Sequence, residues 1–155
     1  MPSPIDNTDD VIDIRDVIDQ FEAMEDELYT NHYRHCGEEW TDTADCMCND
    51  HCPVCNGEIE PYQSDENEEA FALQILLEEC KGNGGDHQWR GDWYPVTLIR
   101  DSYFKEYAQE LAEDIGALPK DAGWPAHCID WDQAARELQT DYTSIDFGGV
   151  TYWVR

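Results

Sequence analysis

The reading turns on the C-terminal run Tyr103-Phe-Lys-Glu-Tyr107-Ala-Gln-Glu-Leu111-Ala-Glu-Asp-Ile115-Gly116-Ala-Leu118. After a loop it continues as Cys128-Ile-Asp130-Trp-Asp-Gln-Ala-Ala-Arg136-Glu-Leu138-Gln-Thr-Asp-Tyr142, and it closes with Ile145-Asp-Phe-Gly148-Gly149-Val-Thr-Tyr152-Trp-Val-Arg155. Tyr103, Tyr107, Leu111 and Ile115 recur every four residues, which places them on one face of a helix. Asp101 or Ser102 offers its N-cap, and Gly116 offers the left-handed residue that ends it. Asp130 followed three residues later by Gln133 has the form of a capping box for a second helix, Trp131 to Leu138. Gly148-Gly149 between two alternating runs predicts a tight hairpin. The expectation for residues 86–155 is a compact helix-helix-β-hairpin domain.

Upstream, Val96 to Arg100 reads as a buried strand, and Trp89, Trp93 and Tyr94 supply aromatic core. Gly82-Asn-Gly-Gly85 marks a boundary. Before it, Ser64 to Lys81 predicts a helix with Phe71, Leu73, Leu76, Leu77 and Cys80 as its buried stripe. Asp65, Glu66, Glu68 and Glu69 lie at the end that favours anions. Near the N-terminus, apolar residues at 11, 14, 18, 21 and 28 predict an amphipathic helix from Val11 to Leu28, a seam that suits packing within its own domain or a short coiled coil. Residues 1 to 8 read as a loose leader. The predicted class is α+β, with four parts: an N-terminal helix (1–30), a knuckle segment (31–63), an acidic helix with its Gly-rich linker (64–85) and the C-terminal domain (86–155).

The knuckle segment holds five of the seven cysteines: Cys36, Cys46, Cys48, Cys52 and Cys55. Cys52-Pro-Val-Cys55-Asn-Gly is a metal-knuckle turn, since two intervening residues let both thiolates reach one tetrahedral ion. Cys36-Gly37 resembles the first knuckle of a zinc ribbon, with Arg34 or His35 where its second ligand would stand. One structural Zn²⁺ is expected on Cys52 and Cys55, with two more ligands from Cys36, Cys46 and Cys48 and with His35 or His51 in reserve. No secretion signal precedes the cysteines, which argues against a disulfide framework and for the cytoplasm. Catalytic zinc sites keep an open position beside a base, and no such pattern is present. The acids Asp42, Asp45, Asp50, Glu58 and Glu60 around the knuckle disfavour a nucleic-acid role for it. Cys80 reads as a core residue.

Charge dominates the composition. Thirty-six Asp and Glu face nine Lys and Arg, a formal net charge of -27. Such a chain is repelled by nucleic acid and anionic lipid and is drawn to basic surfaces. B-DNA carries one charge per ~1.7 Å of axis, so the surplus corresponds to roughly 46 Å of duplex. A salt-adapted protein would also be acidic, but seven cysteines and abundant aromatics suit that reading less well. Six Trp, eight Tyr and four Phe argue for a folded chain over an acidic tail. No phosphate-binding loop, serine elbow or His-Glu-x-x-His is present, so an enzyme is not expected.

The run from about 101 to 155 resembles the C-terminal part of the ArdA antirestriction proteins of phages and mobile elements. The likeness rests on the aromatic helix ending Ile115-Gly-Ala-Leu118, on Ile129-Asp-Trp-x-x-x-x-Arg136-Glu-Leu138, on Asp141-Tyr-Thr143 and on the aromatic last strand. It covers about a third of the chain; the metal knuckle is a departure from that family. The resemblance implies a DNA mimic that occupies the basic DNA groove of a host defence nuclease, with a Type I restriction-modification complex first; a CRISPR effector comes second, because its channels also hold nucleic acid in basic grooves. Such a mimic binds neither nucleic acid nor membrane directly. The acids expected to stand in for phosphates are Asp65, Glu66, Glu68, Glu69, Glu106, Glu110, Glu113, Asp114, Asp130, Asp132, Glu137 and Asp141. The resemblance also implies self-association, with Thr151 to Val154 as the natural edge. The alternative is a zinc-stabilised acidic adaptor that binds a basic partner without imitating DNA.

Overall fold

Short runs of β-branched and aromatic residues alternate with acidic amphipathic segments, and the fold follows that alternation. A computed structural model describes residues 4–118, 123–124 and 126–155. In chain order these give β1 (Val11–Asp13), α1 (Ile14–Met24), β2 (Tyr29–His35), β3 (Glu38–Ala44), β4 (Asp50–His51), β5 (Glu58–Ile59) and β6 (Gln63–Glu66). Then come α2 (Glu68–Cys80), β7 (His87–Trp89), β8 (Asp92–Tyr94), β9 (Thr97–Arg100), α3 (Phe104–Asp114), α4 (Trp131–Gln139), β10 (Thr143–Phe147) and β11 (Val150–Val154). The class is α+β, as expected. No described helix is long and apolar enough to cross a membrane.

The chain divides into two compact units, one of residues 1–17 with 76–155, the other of residues 18–75. The divisions fall inside α1 and α2, not at the Gly82–Gly85 run.

The first unit is built on an antiparallel sheet in the order β1-β9-β11-β10. The predicted helix-helix-hairpin is present, and Gly116 ends the α3 segment at φ 79°. The hairpin turn Gly148-Gly149 has φ 58° and 88°, the left-handed pair that a two-residue turn between twisted strands requires. Asp130 caps α4, its Oδ1 accepting from the Gln133 amide at 3.1 Å. Neither Asp101 nor Ser102 caps α3; Asp101 instead accepts from Trp153 Nε1 at 2.9 Å.

Alternation along the strands separates two faces. Tyr152 and Val154 are fully buried on one; on the other, Trp153 joins the cluster of Ile99, Phe104, Ala108 and Ala135. Phe104 is its hub, with edge contacts to the rings of Tyr142 at 5.3 Å and Trp153 at 6.0 Å. Phe104→Ala is expected to cost about 3–5 kcal/mol, the usual range for a large buried ring; denaturant titration checks it.

Four expectations are corrected here. The N-terminal helix does not begin at Val11: Val11 to Asp13 form a strand, with Ile12 opposite Leu98, because β-branched residues beside a buried strand gain more from pairing than from a helical turn. Residues 4–8 of the leader are held, since Arg100 Nε donates to Asn7 O at 2.8 Å and Asn7 Nδ2 to Gly148 O at 3.1 Å; residues 1–3 lie outside the described part. The aromatic run 86–95 is a hairpin turning at Arg90-Gly91, in which only Tyr94 of its three large rings is buried. Thr151 to Val154 is no edge: β11 lies between β9 and β10, and among the described strands the outer ones are β1 and β10.

Gly84 shows where this unit tolerates no side chain. Its φ is +88°, and a Cβ there would meet the Arg155 carbonyl oxygen at 2.6 Å and Pro95 Cα at 2.9 Å. Gly84→Ala therefore combines a left-handed residue with a backbone clash. The expected loss is about 3 kcal/mol, read as a fall in melting temperature.

The second unit carries an antiparallel sheet in the order β3-β2-β6 and the small β4-β5 ladder. The helix predicted from Ser64 begins at Glu68, because residues 63–66 pair with β2. Its cap is Asn67, whose Oδ1 accepts from the Ala70 amide at 3.3 Å. In β2, Asn31 and Tyr33 point inward and are fully buried. Tyr33 stacks on Trp40, with centroids 5.4 Å apart.

Candidate metal centre

The β2–β3 hairpin turns on two residues, Cys36 and Gly37, with His35 paired to Glu38. Their φ values, 52° and 77°, are the left-handed pair of a type I′ turn. The turn breaks strand alternation, so the adjacent side chains of His35 and Cys36 reach one group of donors.

The facing half is the Cys52–Gly57 turn. The Asn56 amide donates to Cys52 O at 2.8 Å and the Cys52 amide to Gly57 O at 2.9 Å, with Asn56 at φ 58°. The Val54 amide points at Cys52 Sγ and the Gly57 amide at Cys55 Sγ, each at 3.4 Å. Such amides stabilise thiolates, the form that binds metal. Burial pushes the Cys52 thiol up, but hydrogen bonds from the amides of Cys55 and Val54, together with those to the side chains of His35 and Cys55, bring the pKa down to about 6. Cys36, hydrogen-bonded to Cys55, moves the other way, to about 11. The Cys52 thiolate forms readily, and Cys36 holds its proton until a cation displaces it.

The ligand atoms of His35, Cys36, Cys52 and Cys55 all lie within 4.8 Å of one another and could hold a metal ion. His35 Nδ1 is 3.2 Å from Cys36 Sγ and 3.5 Å from Cys55 Sγ. Around a tetrahedral ion with ordinary bond lengths, nitrogen and sulfur stand about 3.6 Å apart and two sulfurs about 3.8 Å. The donors fit that tetrahedron. Four protein donors fill it and leave no position for substrate, the arrangement of a structural site.

Of the cysteines expected at the centre, Cys36, Cys52 and Cys55 are brought together, and His35 supplies the fourth donor. Cys46 and Cys48 are elsewhere, beside Asp45 and outside that group of donors. His51 also stays out, its Nδ1 at 3.3 Å from Asn56 O. Spacing alone left His35 in reserve; reading Cys36-Gly37 as a two-residue turn would have brought it forward. Cys80 is fully buried, and that burial lifts its thiol to about 12.

The twelve acids expected to imitate phosphate are all at the surface except Glu113, which is half-buried. Several also serve the fold. Asp130 is the α4 cap, Glu110 accepts from Tyr103 Oη at 2.8 Å, and Asp132 pairs with Lys105 at 3.3 Å. Asp65 and Glu66 stand on β6, not on a helix. Asp65 accepts from Gln63 and contacts His32 Nε2 at 2.6 Å; the Gln63 bond foremost, then His32, holds its carboxyl below the usual range. Glu68 and Glu69 open α2, and Glu106 and Asp114 stand free of these bonds on α3. Comparison of the chain with family models, curated proteins and solved structures returned no match.

Proposed function

We propose that this chain is an acidic DNA mimic that inhibits a bacterial defence system by occupying the basic groove in which the target holds nucleic acid. One observation carries the reading. Nine Lys and Arg cannot neutralise thirty-six carboxylates whatever pairs they form, and nearly all the acids named above reach the surface of a chain with an aromatic, well-packed core. A folded polyanion of this density complements a surface made for a phosphate backbone. The resemblance of residues 101–155 to ArdA proteins directs the choice of target to a Type I restriction-modification complex, with a CRISPR effector next. Carboxylates on β6, α2, α3 and α4 stand in for phosphates and pair with the target's Lys and Arg. The site of action is the host cytoplasm.

The ion at the His35-Cys36-Cys52-Cys55 centre is Zn²⁺, which three thiolates and one imidazole suit. Its role is to hold the β2–β3 hairpin to the Cys52–Gly57 turn. The reading is tested by phage plating on a host with an active Type I system. Expression of the chain should restore plating of unmodified phage, and a version with its surface acids amidated should not. Unchanged restriction, there and in hosts armed with a CRISPR effector, overturns the proposal.

A further inference from the structure

Asn31 is fully buried, a costly place for an amide, and its hydrogen bonds show what it holds. Its Nδ2 donates to Cys46 O at 2.9 Å, and its Oδ1 accepts from Ser64 Oγ at 2.6 Å. Elsewhere on β2, Tyr33 Oη donates to Cys48 O at 2.5 Å, and His32 O accepts from the Tyr62 amide at 2.9 Å. Two segments, residues 46–48 and residues 62–64, are thereby fixed to one strand. They frame an open groove of about 430 Å³, lined by Met47 and Asn49 and by residues 60–64. A groove whose backbone is already held binds without the cost of ordering it.

The lining has two characters. Met47 and Tyr62 are 64% and 52% exposed and meet here with Pro61. The polar remainder is rich in acceptors: the Glu60 carboxylate, the Asn49 side chain, and Gln63, whose Nε2 is already spent on Asp65 at 2.9 Å. An aliphatic stem that ends in a cation matches both characters. The surrounding charge favours the same occupant, since residues 18–75 hold sixteen Asp and Glu against a single Arg. That residue, Arg34, pairs with Glu39 at 2.9 Å and lies over the Tyr62 ring, its Cζ 4.4 Å from the centroid. The groove's aromatic residue thus already carries one guanidinium, and a tyrosine ring has two faces.

We propose that this groove seats an arginine side chain from the basic protein surface that the chain binds. The stem lies against Met47 and Pro61, the guanidinium plane on Tyr62 and the charge at Glu60. Arginine suits the groove better than lysine, because a planar, weakly hydrated cation stacks on a ring while a compact ammonium keeps its water. The inference rests on the reading of the chain as a ligand for a basic groove, and it adds to the carboxylates an apolar anchor of the kind that dominates protein interfaces.

The test titrates the full-length chain with a capped hexa-arginine peptide and, separately, a capped hexalysine peptide, followed by NMR and calorimetry. Hexa-arginine should shift the Met47 methyl and Tyr62 ring signals, leave the Met24 methyl unmoved, and bind more tightly than hexalysine. Tyr62→Ala and Met47→Ala change no charge, so undirected attraction to a polyanion predicts no effect from either. Both side chains are exposed, and circular dichroism checks that the fold is kept. A cation on an exposed ring gains about two- to fivefold in affinity. Tyr62→Ala should lose about that much for hexa-arginine, and with it the preference over hexalysine. Met47→Ala should weaken both peptides alike. Equal affinity for the two peptides, affinities unchanged by both substitutions, or an unmoved Met47 methyl each overturns the proposal. No nuclease enters this test, so failure of the groove leaves displacement of duplex from a target intact and is told apart from failure of the DNA-mimic reading.

Discussion

Cys52→Ser, or removal of the metal by a strong chelator, is expected to abolish protection of the segment from Tyr29 to Ile59 against hydrogen exchange. Residues 18–75 are fewer than about 60, a size at which an apolar core alone gives marginal stability. A structural zinc contributes on the order of 10 kcal/mol of apparent binding free energy at neutral pH, comparable with the whole stability of a typical domain. Strands β10 and β11, whose core of Ile145, Tyr152 and Val154 uses no metal, should keep their protection. Cys36→Asn is the informative control. Asn-Gly suits a type I′ turn better than Cys-Gly, so a purely conformational role predicts gain, whereas a ligand role predicts loss of the ion. Acidity should act in the same direction. The Cys52 pKa is lowered, to about 6, so its thiolate is present above that pH and a further proton competes with the ion below it; metal affinity should fall more steeply with acidity below that pH than above it. Full protection of the β2–β3 hairpin in metal-free protein would refute this account.

The second large effect concerns charge. A protein that meets six to ten phosphates loses about 10³–10⁵ in affinity between 50 and 200 mM salt. A chain that presents a similar number of carboxylates to the same groove should lose affinity for its target to a comparable extent, on the order of 10³-fold. Amidation should be read on acids whose carboxylates hold no side-chain hydrogen bond or ion pair in the fold. Glu68, Glu69, Glu106 and Asp114 qualify; Asp130 does not, because its carboxylate caps α4 and removing a cap costs about 1 kcal/mol. Each Glu→Gln or Asp→Asn change in that set is expected to flatten the salt dependence by about one ion, as removing a phosphate contact does. Isothermal titration at a series of salt concentrations measures both. A partner held through an apolar interface would show neither.

Local signals were the legible ones. The Asp130–Gln133 cap and the Gly148-Gly149 turn each act over a few residues, and each is where its residues place it. The helix after Tyr103 is present too, but it buries Phe104 and Ala108, while the expected face of Tyr103, Tyr107, Leu111 and Ile115 is only half-buried and ends on an Ile115 that is 69% exposed. The Cys52–Cys55 turn was legible for the same reason. What sequence could not supply was partnership at a distance. Val11 to Asp13 became a strand because β9, more than eighty residues later, offered an edge. Residues 63–66 left the helix to pair with β2. Cys36, Cys46 and Cys48 were equivalent by spacing alone; the register of the β2–β3 hairpin, which puts Cys36 at its tip, chose among them. Thr151 to Val154 looked like an edge as the last strand, but β9 covers it.

The central claim is that the surplus carboxylates act as counterfeit phosphates. The most direct measurement is displacement of a fluorescent duplex from a Type I methyltransferase complex, and in parallel from a CRISPR effector, by the unlabelled chain at several salt concentrations. The claim predicts full displacement from at least one of them, competitive with duplex concentration and weakening steeply as salt rises. A chain that binds while the duplex stays in place, or that displaces it equally well at every salt concentration, contradicts it.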